Sequence, residues 1–263
     1  MFALRTSLCG LLLAATAMAS TATSDASTAM WTPSTDAVLQ LDISSAPTTA
    51  QLSGPFTMME LDGFDTPATV VAELHASGRR VVCYIDVGTW EDWRPDASHF
   101  PHSVIGRGDA GWTGERWLDI RRRSILLPLM KERLAMCARK GFDAVDPDNV
   151  DGAENATGFP LTTPEQYVYD RAIAALAHSL HLAVALKSYA SAASALEPSF
   201  DFVVDEQCVR YSECGSFASF IRHAKPVFDI EYVTSLGFCR ELPRGVRGIA
   251  KHLSLDAWAR WCP

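Results

Sequence analysis

The chain has no hydrophobic run long enough to cross a bilayer. The run from Leu8 to Met18 falls short of the roughly 20 residues a spanning helix needs, so no membrane-spanning helix is expected. Several catalytic signatures are also missing. No Gly-rich phosphate turn follows the first strand-like stretch, which argues against a doubly wound, nucleotide-binding sheet. There is no Gly-x-Ser-x-Gly elbow and no His-Glu-x-x-His zinc helix. No Cys-x-x-Cys pair stands near a histidine, so neither a metal nor another cofactor is expected. Positive charge is scarce, with 23 Lys and Arg against 31 Asp and Glu, a net charge of −8. That sign argues against nucleic acid as a partner and suits a neutral or cationic ligand. No Pro/Gly-rich linker interrupts the chain, which favours one domain, expected to act as a monomer.

What is present begins with an export signal. Arg5 supplies a basic start, Leu8 to Met18 the apolar run, and Ala17-Met18-Ala19 a small-x-small cleavage site. Residues 1–19 are therefore expected to be removed from a secreted protein, and residues 20–30 to form a Ser/Thr/Ala-rich lead-in to one domain over 31–263. Cys9 leaves with the signal. Cys83, Cys137, Cys208, Cys214, Cys239 and Cys262 remain, an even number that suggests three disulfides among fifteen possible pairings. Cys208 with Cys214 would close a local loop, Cys239 with Cys262 would pin the C-terminus, and Cys83 and Cys137 are left for each other.

Eight short β-rich runs recur: 38–43, 57–61, 81–85, 142–145, 182–186, 202–204, 226–230 and 248–252. Helical spacing occupies 68–77, 124–140, 164–180, 216–223 and 255–261 between or after them. Gly78 and Gly141 stand where helix C-caps belong. This alternation predicts an α/β fold, a single (β/α)8 TIM barrel with a long loop after its third strand.

The strand ends carry chemistry. Asp42, Asp62, Asp86, Asp146 with Asp148, Lys187, Glu206, Glu231 with Tyr232, and Lys251 each stand at or just past a run. One such residue is an ordinary solvated strand end, but a barrel would gather all of them at the rim where its active site lies. Pro147 cannot donate to a ladder, so the fourth strand is expected to stop near it and release Asp148 and Asp151 into a loop. That loop is not an EF-hand, because Val150 occupies a ligand position in either register. Asp42, Asp62, Asp86, Asp151, Lys187, Glu231 and Tyr232 are thus candidates to line a binding groove. The excursion over 87–123 adds Trp90, Trp93, Trp112 and Trp117 among charged residues, a pattern suited to stacking on sugar rings and also to a cap packed on its own aromatics. Trp90 and Trp93 join the candidates.

Several motifs together resemble glycoside hydrolase family 114. They are Cys83-Tyr84-Ile85-Asp86-Val87-Gly88, running into Trp90-Glu91-Asp92-Trp93-Arg94-Pro95-Asp96, then Gly114-Glu115-Arg116-Trp117-Leu118-Asp119 and Asp146-Pro147-Asp148-Asn149-Val150-Asp151-Gly152. Asp205-Glu206-Gln207-Cys208 and Lys225-Pro226-Val227-Phe228 with Glu231-Tyr232 complete the set. The resemblance implies a secreted (β/α)8 endo-α-1,4-polygalactosaminidase acting on a cationic, galactosamine-containing polysaccharide, with Asp148 and Glu206 as the catalytic pair. Glycoside hydrolysis does require two carboxyl groups across the scissile bond. The two leave strands separated by one, whose Lys187 would lie between them.

Overall fold

The computed structural model describes residues 1–2, 30–44 and 47–263. The expected signal and lead-in lie, apart from residues 1, 2 and 30, outside the described residues. The strands in chain order are β1 (Leu39–Asp42), β2 (Met58–Asp62), β3 (Arg80–Asp86), β4 (Thr89–Glu91), β5 (Ile105–Gly108), β6 (Glu115–Leu118), β7 (Ala144–Asp148), β8 (Ala183–Lys187), β9 (Phe202–Glu206), β10 (Val227–Glu231), β11 (Val246–Lys251) and β12 (Ala259–Trp261). The helices are α1 (Ala68–Ala76), α2 (Arg123–Lys140), α3 (Thr163–Ser179), α4 (Ala193–Leu196), α5 (Cys208–Tyr211) and α6 (Ala218–Arg222).

β1, β2, β3 and β7 to β11 form a parallel, nearly closed (β/α)8-like barrel, with β12 antiparallel on β11. Local signals set the helices. A Thr162–Glu165 capping box and Pro164 start α3, and Gly141, at φ 94°, ends α2. Alternation along each strand builds two layers. Met58, Val82, Ala144, Ala185, Val204 and Ile230 fill the barrel, while Leu61, Val81, Val145, Leu186 and Val203 pack outward in the larger core shared with the helices.

The structure departs from the sequence reading at the C-terminus. The segment read as a helix over 255–261 instead contains β12, which pairs with β11 through Ile249 and Trp261. The barrel seam needs main-chain and side-chain partners here. Trp261 Nε1 donates to the Leu39 carbonyl at 2.7 Å, and Cys262 N to that of Gly248 at 2.9 Å. Gly248 is required by this closeness, since a Cβ there would fall 2.6 Å from Cys262 Sγ. The long excursion is also more ordered than a loop: β4, β6 and β5 form a small antiparallel sheet. Pro147 ends only half of its ladder. β7 pairs with β8 at Ala144 and Val145 alone, but with β3 as far as Asp148.

The three disulfides are Cys83–Cys137, tying β3 to α2, Cys208–Cys214, closing the turn after β9, and Cys239–Cys262. At the opposite end from the strand-end acids, one device occurs twice. Asp143 accepts from Val81 N at 2.8 Å and His75 Nε2 at 2.7 Å, while Asp201 accepts from Val184 N and His178 Nε2, each at 2.9 Å. Each clip fastens the end of a helix, the start of the next strand and the residue before the neighbouring barrel strand. No helix among the described residues is long and apolar enough to cross a membrane.

Candidate active site

A cavity of about 480 Å³ opens at the C-terminal ends of the barrel strands. Three adjacent strands form its floor, because β7, β8 and β9 end on Asp148, Lys187 and Glu206. The next residue on each, Asn149, Ser188 and Gln207, has φ of 58°, 37° and 70°. Left-handed backbone is uncommon outside glycine and is concentrated at functional sites. Here it turns the chain sharply off each strand, and Ser188 Oγ then accepts from Glu206 N at 3.1 Å.

Lys187 Nζ lies 3.2 Å from Asp146 Oδ2, 3.3 Å from Glu206 Oε1 and 3.6 Å from Asp148 Oδ1. The Asp148 and Glu206 oxygens that share it are therefore within about 7 Å of each other, compatible with the span of glycosidase carboxyl pairs. Burial alone would lower the Lys187 pKa, but Asp146, Asp148, Glu206 and Glu60 hold it well above its ordinary range. Tyr84 donates its hydroxyl to Asp148 Oδ2 at 2.7 Å, and Tyr232 donates to Glu206 Oε2. Burial, reinforced by the carboxylate each one meets, raises both phenols above the range where they would lose a proton. Both tyrosines thus remain donors at every working pH.

Two arginines lock the excursion against the barrel. Arg94 forks onto Asp62 at 2.8 and 3.1 Å and reaches Glu91 at 2.7 Å, and Arg133, fully buried on α2, holds Asp96 and the Asp86 carbonyl. The sheet so anchored presents Trp93, Glu115 and, from its connecting turn, Trp112 to the cavity. Burial, then Glu91 and Asp148, push Glu115 up to about 7, while burial takes Asp151 to about 6. Among the described residues, Asp65, Glu115 and Asp151 line the cavity outside any ion pair, whereas its Arg94 and Lys187 are already engaged.

Of the residues singled out from sequence, Asp62, Trp93, Asp148, Asp151, Lys187, Glu206 and Tyr232 line the cavity. Asp42, Asp86, Trp90 and Glu231 do not, for separate reasons. Glu231 leaves β10 on the face opposite Ile230 and Tyr232, and it accepts the N–H groups of Val209 and Arg210. Asp42 likewise has the phase opposite to Leu41, and it accepts from Ser44. Asp86 is fully buried beneath Thr89 and Asn149, and Trp90 packs on the core with its Nε1 on the Ala97 carbonyl. Tyr84, Glu91, Arg94, Trp112 and Glu115 were not among the candidates yet line the cavity. Tyr84 was accessible to a period-two reading from Val82. Glu115 enters from the inserted sheet and carries no local signal.

The family profile described as glycoside-hydrolase family GH114 matches residues 20–263. No curated protein sequence matches. Among solved structures, Aspergillus fumigatus Ega3, determined in complex with galactosamine, is 30% identical with a TM-score of 0.84, over 89% of this chain and 98% of that one. The glycoside hydrolase domain of PelA from Pseudomonas aeruginosa shares the fold at 16% identity, with a TM-score of 0.67 over 84% of this chain and 97% of that one.

Proposed function

This chain belongs to glycoside hydrolase family 114 and is a glycoside hydrolase of the endo-α-1,4-polygalactosaminidase-like kind; we propose that it acts outside the cell on α-1,4-linked galactosamine polysaccharide, using Asp148 and Glu206 as its carboxyl pair. The observation that carries the reading is Lys187, one buried ammonium shared by both carboxyl groups at the cavity floor. Asp148 serves as nucleophile or base and Glu206 as general acid, delivering the proton to the departing glycosidic oxygen. Trp93 and Trp112, about half exposed at the cavity edge, offer faces for sugar rings. Asp65, Glu115 and Asp151 offer carboxylates to the free amines of the polymer, and Asp62 and Tyr232 complete the wall. Three disulfides support an oxidising destination.

Incubation with α-1,4-polygalactosamine followed by mass spectrometry should yield a ladder of oligomers. Monomer as the sole product would overturn endo action, and no product at all would overturn the substrate. Acetylating the amines should weaken cleavage, because it removes the charge the acidic wall attracts. Equal cleavage of both polymers would assign that wall another role.

A further inference from the structure

Beneath Lys187 the barrel holds a second pair of carboxyl groups, on Glu60 and Asp146. Both side chains are fully buried, at 0% exposure, on β2 and β7, with β3 between their strands, Val82 opposite Glu60 and Tyr84 opposite Asp146. Asp146 Oδ2 faces Lys187, but among the described residues neither Glu60 oxygen nor Asp146 Oδ1 has an N–H or O–H to accept from. The two carboxyl groups nevertheless lie within hydrogen-bonding reach of each other. Two ionised carboxylates in contact, away from water, would repel each other with nothing to screen them. One proton between them removes the conflict and supplies the missing donor.

We propose that Glu60 is a positioning residue for the reaction: it carries the proton shared with Asp146, leaving Asp146 the single negative charge that anchors Lys187 under Asp148 and Glu206. The proposal rests on those two being the catalytic pair. Charge and contact assign the proton to Glu60 rather than to Asp146. Asp146 touches the ammonium directly, while burial and Asp146 itself push the Glu60 carboxyl well above its ordinary range. The other titratable groups around the cluster are Tyr84 and Tyr232, which stay protonated, Asp148 and Glu206 above, and Lys251 on β11. Lys251 is committed to the carbonyl oxygens of Leu41 and Asp256. The column thus runs neutral acid, anion, cation, and only then the reacting pair. Asp146 neutralises part of the Lys187 charge, so that Glu206 can keep a proton to deliver.

Three variants and one spectrum test this. The infrared difference spectrum at pH 7 between the unsubstituted protein and Glu60→Gln should show the C=O stretch of a protonated, buried carboxyl group, the bands of other buried acids such as Asp205 cancelling. Glu60→Gln keeps a donor to Asp146, so its kcat/KM should stay within about threefold of wild type with an unmoved pH profile. Glu60→Leu removes the donor and forces Asp146 to take up the proton itself, and Asp146→Asn removes the anion outright. Both should shift the alkaline limb of kcat/KM to lower pH by about one unit, because Lys187 then acts undiluted on Glu206. If Glu60→Leu does not fold, Asp146→Asn and the spectrum still decide. An alkaline limb unmoved in Asp146→Asn, a limb displaced in Glu60→Gln as far as in Asp146→Asn, or no buried-carboxyl band lost in Glu60→Gln would each overturn the proposal. If the polymer is not a substrate, the infrared result still reports on Glu60 and separates the two failures.

Discussion

Glu206 and Asp205 are neighbours in the chain, yet each belongs to a different kind of carboxyl pair. Glu206 faces the barrel cavity and meets Lys187, Tyr232 and, across the ammonium, Asp148. Asp205 faces outward and lies in register with Asp229 on β10. That outer pair is fully buried and receives one hydrogen bond, from Cys208 N to Asp229 Oδ1 at 2.9 Å. The remaining three oxygens have no donor among the described residues. Burial and the Asp229 charge push Asp205 up to about 8, and burial takes Asp229 to about 7. All four are carboxylic acids, and strand parity separates Glu206 from Asp205. Acidic residues at strand ends serve a reaction only where the pleat turns them toward an opening and a cation meets them. Turned the other way, they trap a proton.

The sharpest way to break this comparison is to disable each pair in turn. Asp148→Asn or Glu206→Gln should lower kcat by at least about 10²–10⁴, with the double variant little worse than the poorer single one. Asp205→Asn, one residue away, should leave kcat within about twofold. Comparable losses in Glu206→Gln and Asp205→Asn would erase the distinction. A second contrast uses the next strand. Tyr232→Phe removes a hydroxyl bonded to Glu206 and should cost about 3–10-fold in kcat/KM, as expected for a hydrogen bond of about 1 kcal/mol to a carboxyl group that keeps its proton. Glu231→Gln, on the opposite face, should change activity by less than about threefold, its amide oxygen still accepting from Val209 and Arg210. The reverse ranking would show that the assigned faces are wrong.

The smallest effect concerns stability. Asp205 and Asp229 have folded-state values raised above the ordinary 3.8, so between about pH 4 and pH 8 the folded chain holds protons that the unfolded chain has released. Their contribution is therefore most favourable at low pH and is lost as pH rises toward 8. Asp205→Asn replaces the shared proton with an amide donor and should flatten that decline. Melting temperatures at pH 5 and pH 8 would check it, at about 2–4 °C for each kcal/mol recovered. An unchanged slope would mean that the outer pair is not the titrating unit.

Most of the barrel was legible because its signals are local: apolar runs, helical spacing and C-cap glycines. The acidic strand ends were legible too, but position at an end says nothing about direction. Asp42 and Glu231 were set beside Asp62 and Tyr232, although period-two phasing from Leu41 and Ile230 turns them away. The same phasing, Met58-Glu60-Asp62 and Val82-Tyr84-Asp86, would have brought Glu60 and Tyr84 forward. β12 was hidden because its partner β11 is fixed by barrel closure, a long-range demand that overrides helical spacing in a short segment. Glu115 and Trp112 depend on how the inserted sheet folds back over the rim, which Arg94 and Arg133 decide from far along the chain.

The two histidine clips at the lower face carry a consequence for the order of folding. The His178–Asp201 clip closes over 23 residues and the His75–Asp143 clip over 68. Loop-closure entropy disfavours the longer one by about 1 kcal/mol, so in the reduced chain the segment around α3, β8 and β9 should consolidate first. The Cys83–Cys137 bond alters that order, because its cysteines lie two residues from Val81 and six from Asp143. Once it forms, the longer clip has only a short path left to close. Pulse-labelled hydrogen exchange should show the Val184 amide protected ahead of Val81 in the reduced chain, and the two together, or Val81 first, in the oxidised one. Identical order in both would mean that the clips close after the rest of the barrel is already built.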